Sequence, residues 1–204
     1  MNDFEIKKIK QKLREEIWEK MEKDGIAIFP GAYGRIPNFI GSDKAAEKVR
    51  ELEEWKKAKI VFSNPDSAQK KIREFALKDG KLLIMASPRL KHGYIKIDPN
   101  KVKGKESFAS TIKGAFKYGE ILKELQKPDL IITGCVAVDP LTGYRLGKGH
   151  AYGDKEIRMI KDNFGELPII TTVHDIQIIN SIPYEKHDEK VSIIVTPTRI
   201  IRIK

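Results

Sequence analysis

Apolar residues recur at helical spacing from the start of the chain. Ile6, Ile9, Leu13, Ile17 and Met21 fall on one face and predict an amphipathic helix over 3–24. Asn2 or Asp3 is placed to cap it and Gly25 to end it. A Gly- and Pro-rich loop follows over 29–38. A second helix then opens at Ser42, capped by Ser42 or Asp43, with Ala45, Ala46, Val49 and Leu52 on its apolar face. Beyond it, apolar runs of strand length alternate with helical patterns. Strands are predicted over 59–63 and 81–86, with a helix over 65–78 between them that Asp79-Gly80 closes. A weaker strand begins at Tyr94 and gives way to a loop at Asp98-Pro99-Asn100. A helix over 106–125 turns Phe108, Ile112 and Phe116 inward, and one buried strand runs over 130–138. A helix over 154–164 ends at Gly165. Strand character over 167–173 and 175–179 is interrupted near His174, and two short strands close the chain over 192–195 and 199–203. This alternation is the mark of βαβ units. It predicts a three-layer α/β fold, a largely parallel sheet with helices on both faces, in a single domain over 1–204.

Composition narrows the class without naming a function. A chain of 204 residues, 40% hydrophobic and 33% charged, has ample core for one soluble domain. No apolar run is long enough to cross a bilayer, and M-N-D-F-E-I-K-K has no signal-peptide character. The one cysteine, Cys135, lies in an apolar run. It cannot form an internal disulfide and reads as a small core residue, which suits a reducing, cytoplasmic setting. A net charge of +10 makes phosphorylated small molecules and polyanions plausible partners, RNA among them.

The candidate chemistry gathers at D-P-L-T-G-Y-R-L-G-K-G-H-A-Y-G-D-K, positions 139–155. A buried strand precedes this glycine-rich turn and a helix start follows it. Glycines let backbone N–H groups approach an anion, and a helix N-terminus adds partial positive charge. Arg145 and Lys148 supply full charges that suit phosphate oxygens. The stretch is not a Walker A loop, because no Gly-Lys-Ser/Thr follows four variable residues after a glycine, and not a dinucleotide fingerprint, because Tyr152 stands where the third glycine would be. Lys10 and Arg14, four apart, project from one helix face as a cationic clamp or as a solvated flank beside Glu15 and Glu19. Gly31, Gly34 and Arg35 mark a loop placed to pass over a site, and the segment 87–93 follows a strand where ligand rims form.

The second half of the chain resembles the 5-formyltetrahydrofolate cyclo-ligase (methenyltetrahydrofolate synthetase) family. Its glycine-rich pattern is matched by Asp139, Gly143, Arg145, Leu146, Gly147, Gly149, Tyr152 and Asp154, and its later elements by Asp175, Gln177, Pro183, His187 and Asp188. Lys10, Leu13 and Arg14 fit its first helix. The R-I-P-N-F stretch at 35–39, followed by Gly41-Ser42, resembles the divergent branch of methenyltetrahydrofolate synthetase domain-containing proteins. The resemblance implies a Mg-ATP-dependent ring closure of 5-formyltetrahydrofolate or a related reduced pterin. It implies ATP contacts from Lys10, Arg14 and the run Arg145, Leu146, Gly147, Lys148, Gly149, His150, Ala151, Tyr152 and Gly153. Arg145 and Lys148 would act at the transferred phosphoryl group, Tyr152 and Asp66 would face the substrate, and Asp154 and Asp188 would hold magnesium. Asp154 also suits a helix N-cap and Asp188 a turn. The sequence departs from the family at Ala151, Gly153 and Lys155, and N-P-D-S-A-Q-K-K lacks the Glu-Thr helix start with which the folate enzymes hold the pterin.

Overall fold

The computed structural model describes residues 2–204. Its strands in chain order are β1 (Ile60–Ser63), β2 (Leu82–Ala86), β3 (Tyr94–Ile97), β4 (Glu120–Leu122), β5 (Leu130–Thr133), β6 (Ala137–Val138), β7 (Arg145–Leu146), β8 (Ile169–Thr172), β9 (Ile193–Val195) and β10 (Ile200–Arg202). Its helices are α1 (Asp3–Lys23), α2 (Ser42–Glu51), α3 (Glu53–Lys57), α4 (Lys70–Lys78), α5 (Glu106–Ala109), α6 (Ile112–Tyr118) and α7 (Tyr152–Phe164). Eight strands form one sheet in the order β10-β9-β8-β5-β1-β2-β3-β4. The run from β9 to β2 is parallel, and β10, β3 and β4 add antiparallel edges.

Alternation along the strands makes the layers. Val61, Leu83, Met85, Leu130 and Ile132 point into one core with Trp18, Val49, Trp55 and Ile72 of the first four helices. Their neighbours Phe62, Ile84, Ala86 and Ile131 point into a second core with Ile157 and Ile160 of α7. The sheet is therefore covered on both faces. Cys135 is buried in the second core, where burial pushes its thiol up to about 11 and leaves it inert at neutral pH.

Several elements depart from the sequence reading. The run 130–138 is two strands, because the chain leaves the sheet at Gly134. A methyl group there would lie 2.5 Å from Ile36 Cγ2 and 2.6 Å from Gln69 Oε1. Beyond this break β6 pairs with β7 as a separate hairpin. The helix over 106–125 is instead α5, α6 and β4. Thr111 accepts from Gly114 N at 2.9 Å to begin α6, and extended Gly119 ends it, so that Phe108, Ile112 and Phe116 stay partly exposed. The segment 175–179 is a 3-10 turn rather than a strand, because His174 Nδ1 caps it by accepting from Ile176 N at 3.2 Å. The helix over 65–78 starts as a 3-10 turn at Ser67–Gln69. Gly41, in left-handed conformation, holds the N-cap position of α2 in place of Ser42 or Asp43.

Candidate active site

The order of the strands creates the site. The chain goes from β1 to β2 on one side and returns to place β5 on the other, so loops leave the carboxyl ends of β1 and β5 in opposite directions. Ligands of open α/β sheets bind in that crevice. Here it is a cavity of about 300 Å³ lined by Asn64, Pro65 and Asp66 after β1, Ser87 to Arg89 after β2, and Gly134 after β5. The loop at Pro30 to Ile36 closes one side, and the glycine-rich turn with the start of α7 closes another.

A second cavity, of about 350 Å³, lies on the far side of that turn, against α1. Lys7, Lys10, Gln11 and Arg14 enter it from the helix, and Glu185 and Asp188 from the loop before β9. Arg145, Gly147, Ala151 and Asp154 line both cavities, so a single loop separates them.

The hairpin of β6 and β7 delivers Arg145 to this divide. Its guanidinium is buried, donating from Nη2 to Asp154 Oδ1 at 3.0 Å and from Nη1 to the Gly134 carbonyl at 3.3 Å. Its Nε has no hydrogen-bond partner. Arg14 Nε donates to the Gly147 carbonyl at 2.6 Å and so ties α1 to the turn. Burial holds the Arg14 guanidinium below its ordinary range, against the pull of Asp188 and Glu185. Lys10, itself buried, pairs with Glu185 at 2.9 Å and with Asp188. The first helix, the glycine turn and the 185–188 loop therefore meet at one place.

Every residue to which the resemblance gives an ATP, substrate or metal contact borders one of the two cavities, whereas Asp139, Gly143, Asp175, Gln177, Pro183 and His187 of the matched pattern border neither. Lys10, Arg14, Leu146, Gly149 and Asp188 face the α1 side. Asp66, Lys148, His150, Tyr152 and Gly153 face the cavity at the strand ends, where Lys148 Nζ stands 3.8 Å from Asp66 Oδ1. The glycine turn is thus divided between two surfaces, where the sequence suggested one continuous cradle. Asp154 is not the N-cap of α7. The helix begins at Tyr152, and Ala151 takes the cap position at φ 56° with no side-chain bond. Asp154 instead accepts from Arg145 and, at 3.1 Å, from Glu189 N through the same oxygen.

The two aspartates suit a hard divalent ion that keeps most of its other ligands as water and phosphate. Asp154 takes its hydrogen bonds on Oδ1 and Asp188 on Oδ2. The second oxygen of each accepts none among the described residues, and both residues line the α1-side cavity. Among the described residues no group of three or more His, Cys, Asp or Glu is arranged as a closed metal cage. Magnesium needs only one or two protein carboxylates when phosphates complete its shell, so the pair fits.

Sequence reasoning passed over Glu156. It is 5% exposed, sits one turn before Ile160 on the buried stripe of α7, and borders the cavity at the strand ends. Burial, reinforced by Asp66, pushes its carboxyl up to about 8, with Asp154 adding to the rise and Arg145 and Lys148 opposing it. Burial also raises Asp66, against Lys148, Arg73 and Arg145. A glutamate in register with Ile157 and Ile160 was the available signal. Asn64 was missed as well; it is buried, and its Oδ1 has no partner.

Comparison with known proteins identifies the family and the fold. The model of the 5-formyltetrahydrofolate cyclo-ligase family matches residues 6–197. The chain is 38% identical over 205 residues to the methenyltetrahydrofolate synthase domain-containing protein of Bos taurus, covering 94% of this chain and 53% of that one. It is 36% identical over 204 residues to the Homo sapiens protein of that name, again covering 94% and 53%. The chain thus spans about half the length of the curated relatives it matches. Among solved structures, the 5,10-methenyltetrahydrofolate synthetase of Aquifex aeolicus superposes with a TM-score of 0.62 at 21% identity, covering 96% of this chain and 93% of that one. That of Mycoplasma pneumoniae gives 0.56 at 15%, covering 91% and 97%. These two establish the likeness of the fold.

Proposed function

The chain belongs to the 5-formyltetrahydrofolate cyclo-ligase family, and from that membership we propose that it is a Mg-ATP-dependent ligase that closes a 5-formylated reduced folate or related pterin to its 5,10-methenyl form. The observation that carries the reading is the pair of cavities divided by one loop, with Arg145 reaching both. A phosphoryl donor and an acceptor on opposite faces of one loop have the arrangement a transfer between them requires.

The triphosphate is assigned to the α1 side, where Lys7, Lys10 and Arg14 supply positive charge. The pterin is assigned to the cavity at the strand ends. The formyl oxygen attacks the γ-phosphorus and ADP departs. The neighbouring amine then attacks the activated formyl carbon, and expulsion of phosphate and loss of the amine proton leave the methenyl bridge. No protein nucleophile takes part, so the protein contributes position and charge. Asp154 and Asp188 would hold magnesium, which when bound neutralises triphosphate charge. Arg145, fixed by Asp154 and Gly134, keeps its unpartnered Nε and its charge for the transferred group. Lys148, tethered loosely to Asp66, is free to swing toward the same oxygens.

The test is direct. Purified protein, 5-formyltetrahydrofolate and Mg-ATP should give methenyl absorbance together with ADP. Absence of both at high enzyme concentration refutes the proposal. The alternative, a non-catalytic RNA-binding protein on the same scaffold, rests on the net charge of +10 and the resemblance to the divergent branch, and the comparisons lend RNA binding no support.

A further inference from the structure

We propose that Asn64, Asp66 and Glu156 form the ring-recognition end of the cavity at the strand ends, and that Glu156 is its specificity-determining contact, accepting hydrogen bonds from the amino-bearing edge of the reduced pterin. The inference rests on the function proposed above and deepens it.

Cations and acceptors both line the cavity. Arg35, Arg89 and Lys148 extend with His150 and Tyr152 into an adjoining cleft, which draws the anionic part of a ligand. The acceptors on the same cavity are the Asn64 amide oxygen and the carboxyls of Glu156 and of Asp66, the last beside Lys148. A ring entering there must present N–H groups, as an aminopyrimidine edge does.

The three acceptors differ in spare capacity. Asp66 is already beside Lys148, and its backbone carbonyl receives Arg73 Nη1 at 2.8 Å. Glu156 makes no hydrogen bond or ion pair among the described residues although it is 5% exposed. Asn64, 6% exposed, has an amide oxygen with no partner. Buried polar groups left unmade are costly, and a folded chain keeps them where a ligand completes them. The segment before α4 lacks the acidic helix start expected of folate enzymes. A carboxyl offered from α7 to the same cavity supplies that function from a different element.

Titration calorimetry tests the contact. Wild type, Glu156→Gln and Glu156→Leu are each titrated with 5-formyltetrahydrofolate, with its analogue lacking the 2-amino group, and with Mg-ATP. Glu156→Leu should bind 5-formyltetrahydrofolate at least tenfold more weakly, as loss of a hydrogen bond to a charged or strongly polar group implies. Mg-ATP affinity should stay within twofold, which also verifies folding. Removing the 2-amino group should weaken binding to wild type by a similar factor but scarcely affect Glu156→Leu, because the two deletions remove one interaction. Glu156→Gln, retaining one acceptor, should fall between them and carries the comparison if the leucine variant does not fold. If Glu156→Leu discriminates between the two ligands as wild type does, the inference is overturned while the function stands. If wild type binds Mg-ATP but neither folate, the substrate reading falls and takes this inference with it.

Discussion

Substituting Glu156 by Gln should change how stability depends on pH, and by an amount the structure defines. In the folded protein the carboxyl titrates at about 8, because it is buried on α7 and faces Asp66 and Asp154, an effect that Arg145 and Lys148 only partly offset. In the unfolded chain it returns to the ordinary glutamate value, about 4.3. Between those values the native state holds a proton that the unfolded state has lost. Native proton occupancy then exceeds unfolded, the derivative of unfolding free energy with pH is negative, and stability falls as pH rises. The slope is about 1.4 kcal/mol per pH unit, so wild type gives up roughly 3–4 kcal/mol between pH 4.3 and 7 and a further unit's worth by pH 8. Above that the loss levels off. A glutamine has the same shape and no proton to lose, so Glu156→Gln should match wild type near pH 4.5 and exceed it by roughly 3 kcal/mol at pH 7. Urea denaturation of both proteins at pH 5, 6, 7, 8 and 9, without ligands, measures the difference at each pH. Parallel stability curves would show that Glu156 is solvated or paired and would refute the reasoning.

Other perturbations follow from particular contacts. Arg14→Leu removes the donor to the Gly147 carbonyl and a cation from the α1-side cavity; KM for ATP should rise about tenfold or more with a smaller change in kcat, read by steady-state kinetics. Gly134→Ala forces a methyl group against buried Ile36 and Gln69, and should destabilise the protein by about 1–3 kcal/mol in chemical denaturation. Ala151 occupies the left-handed region at φ 56° and is exposed, so Ala151→Gly should raise stability by about 0.5–1 kcal/mol with no loss of packing, visible as a higher Tm.

The fold was largely legible because its signals are local. The strands around 59–63 and 81–86 and the helices at either end carry clear periodicity, and their alternation suffices for a parallel sheet. The errors fall where tertiary contact overrides local pattern. The run 130–138 is apolar throughout, so nothing in its hydrophobicity marks the departure at Gly134. Only the approach of Ile36 and Gln69, distant in sequence, explains the glycine there. The helix over 106–125 had its breaks written at Thr111 and Gly119, but a run of apolar residues at helical spacing masked them. The cationic and glycine residues of the site were readable as motifs. Glu156 and Asn64 were not, because their importance lies in what is absent around them, and a missing hydrogen-bond partner has no spelling in the sequence.

Arg145 stands in the partition between two chambers, lining both while its guanidinium is paired with Asp154. Whatever fills one chamber alters the field and the side-chain position felt by the occupant of the other. If the proposed assignment of ATP and folate to the two chambers holds, the two ligands cannot associate independently, and linkage requires each to change the other's affinity by the same factor. Loading of the protein becomes a joint event, governed by a wall one loop thick.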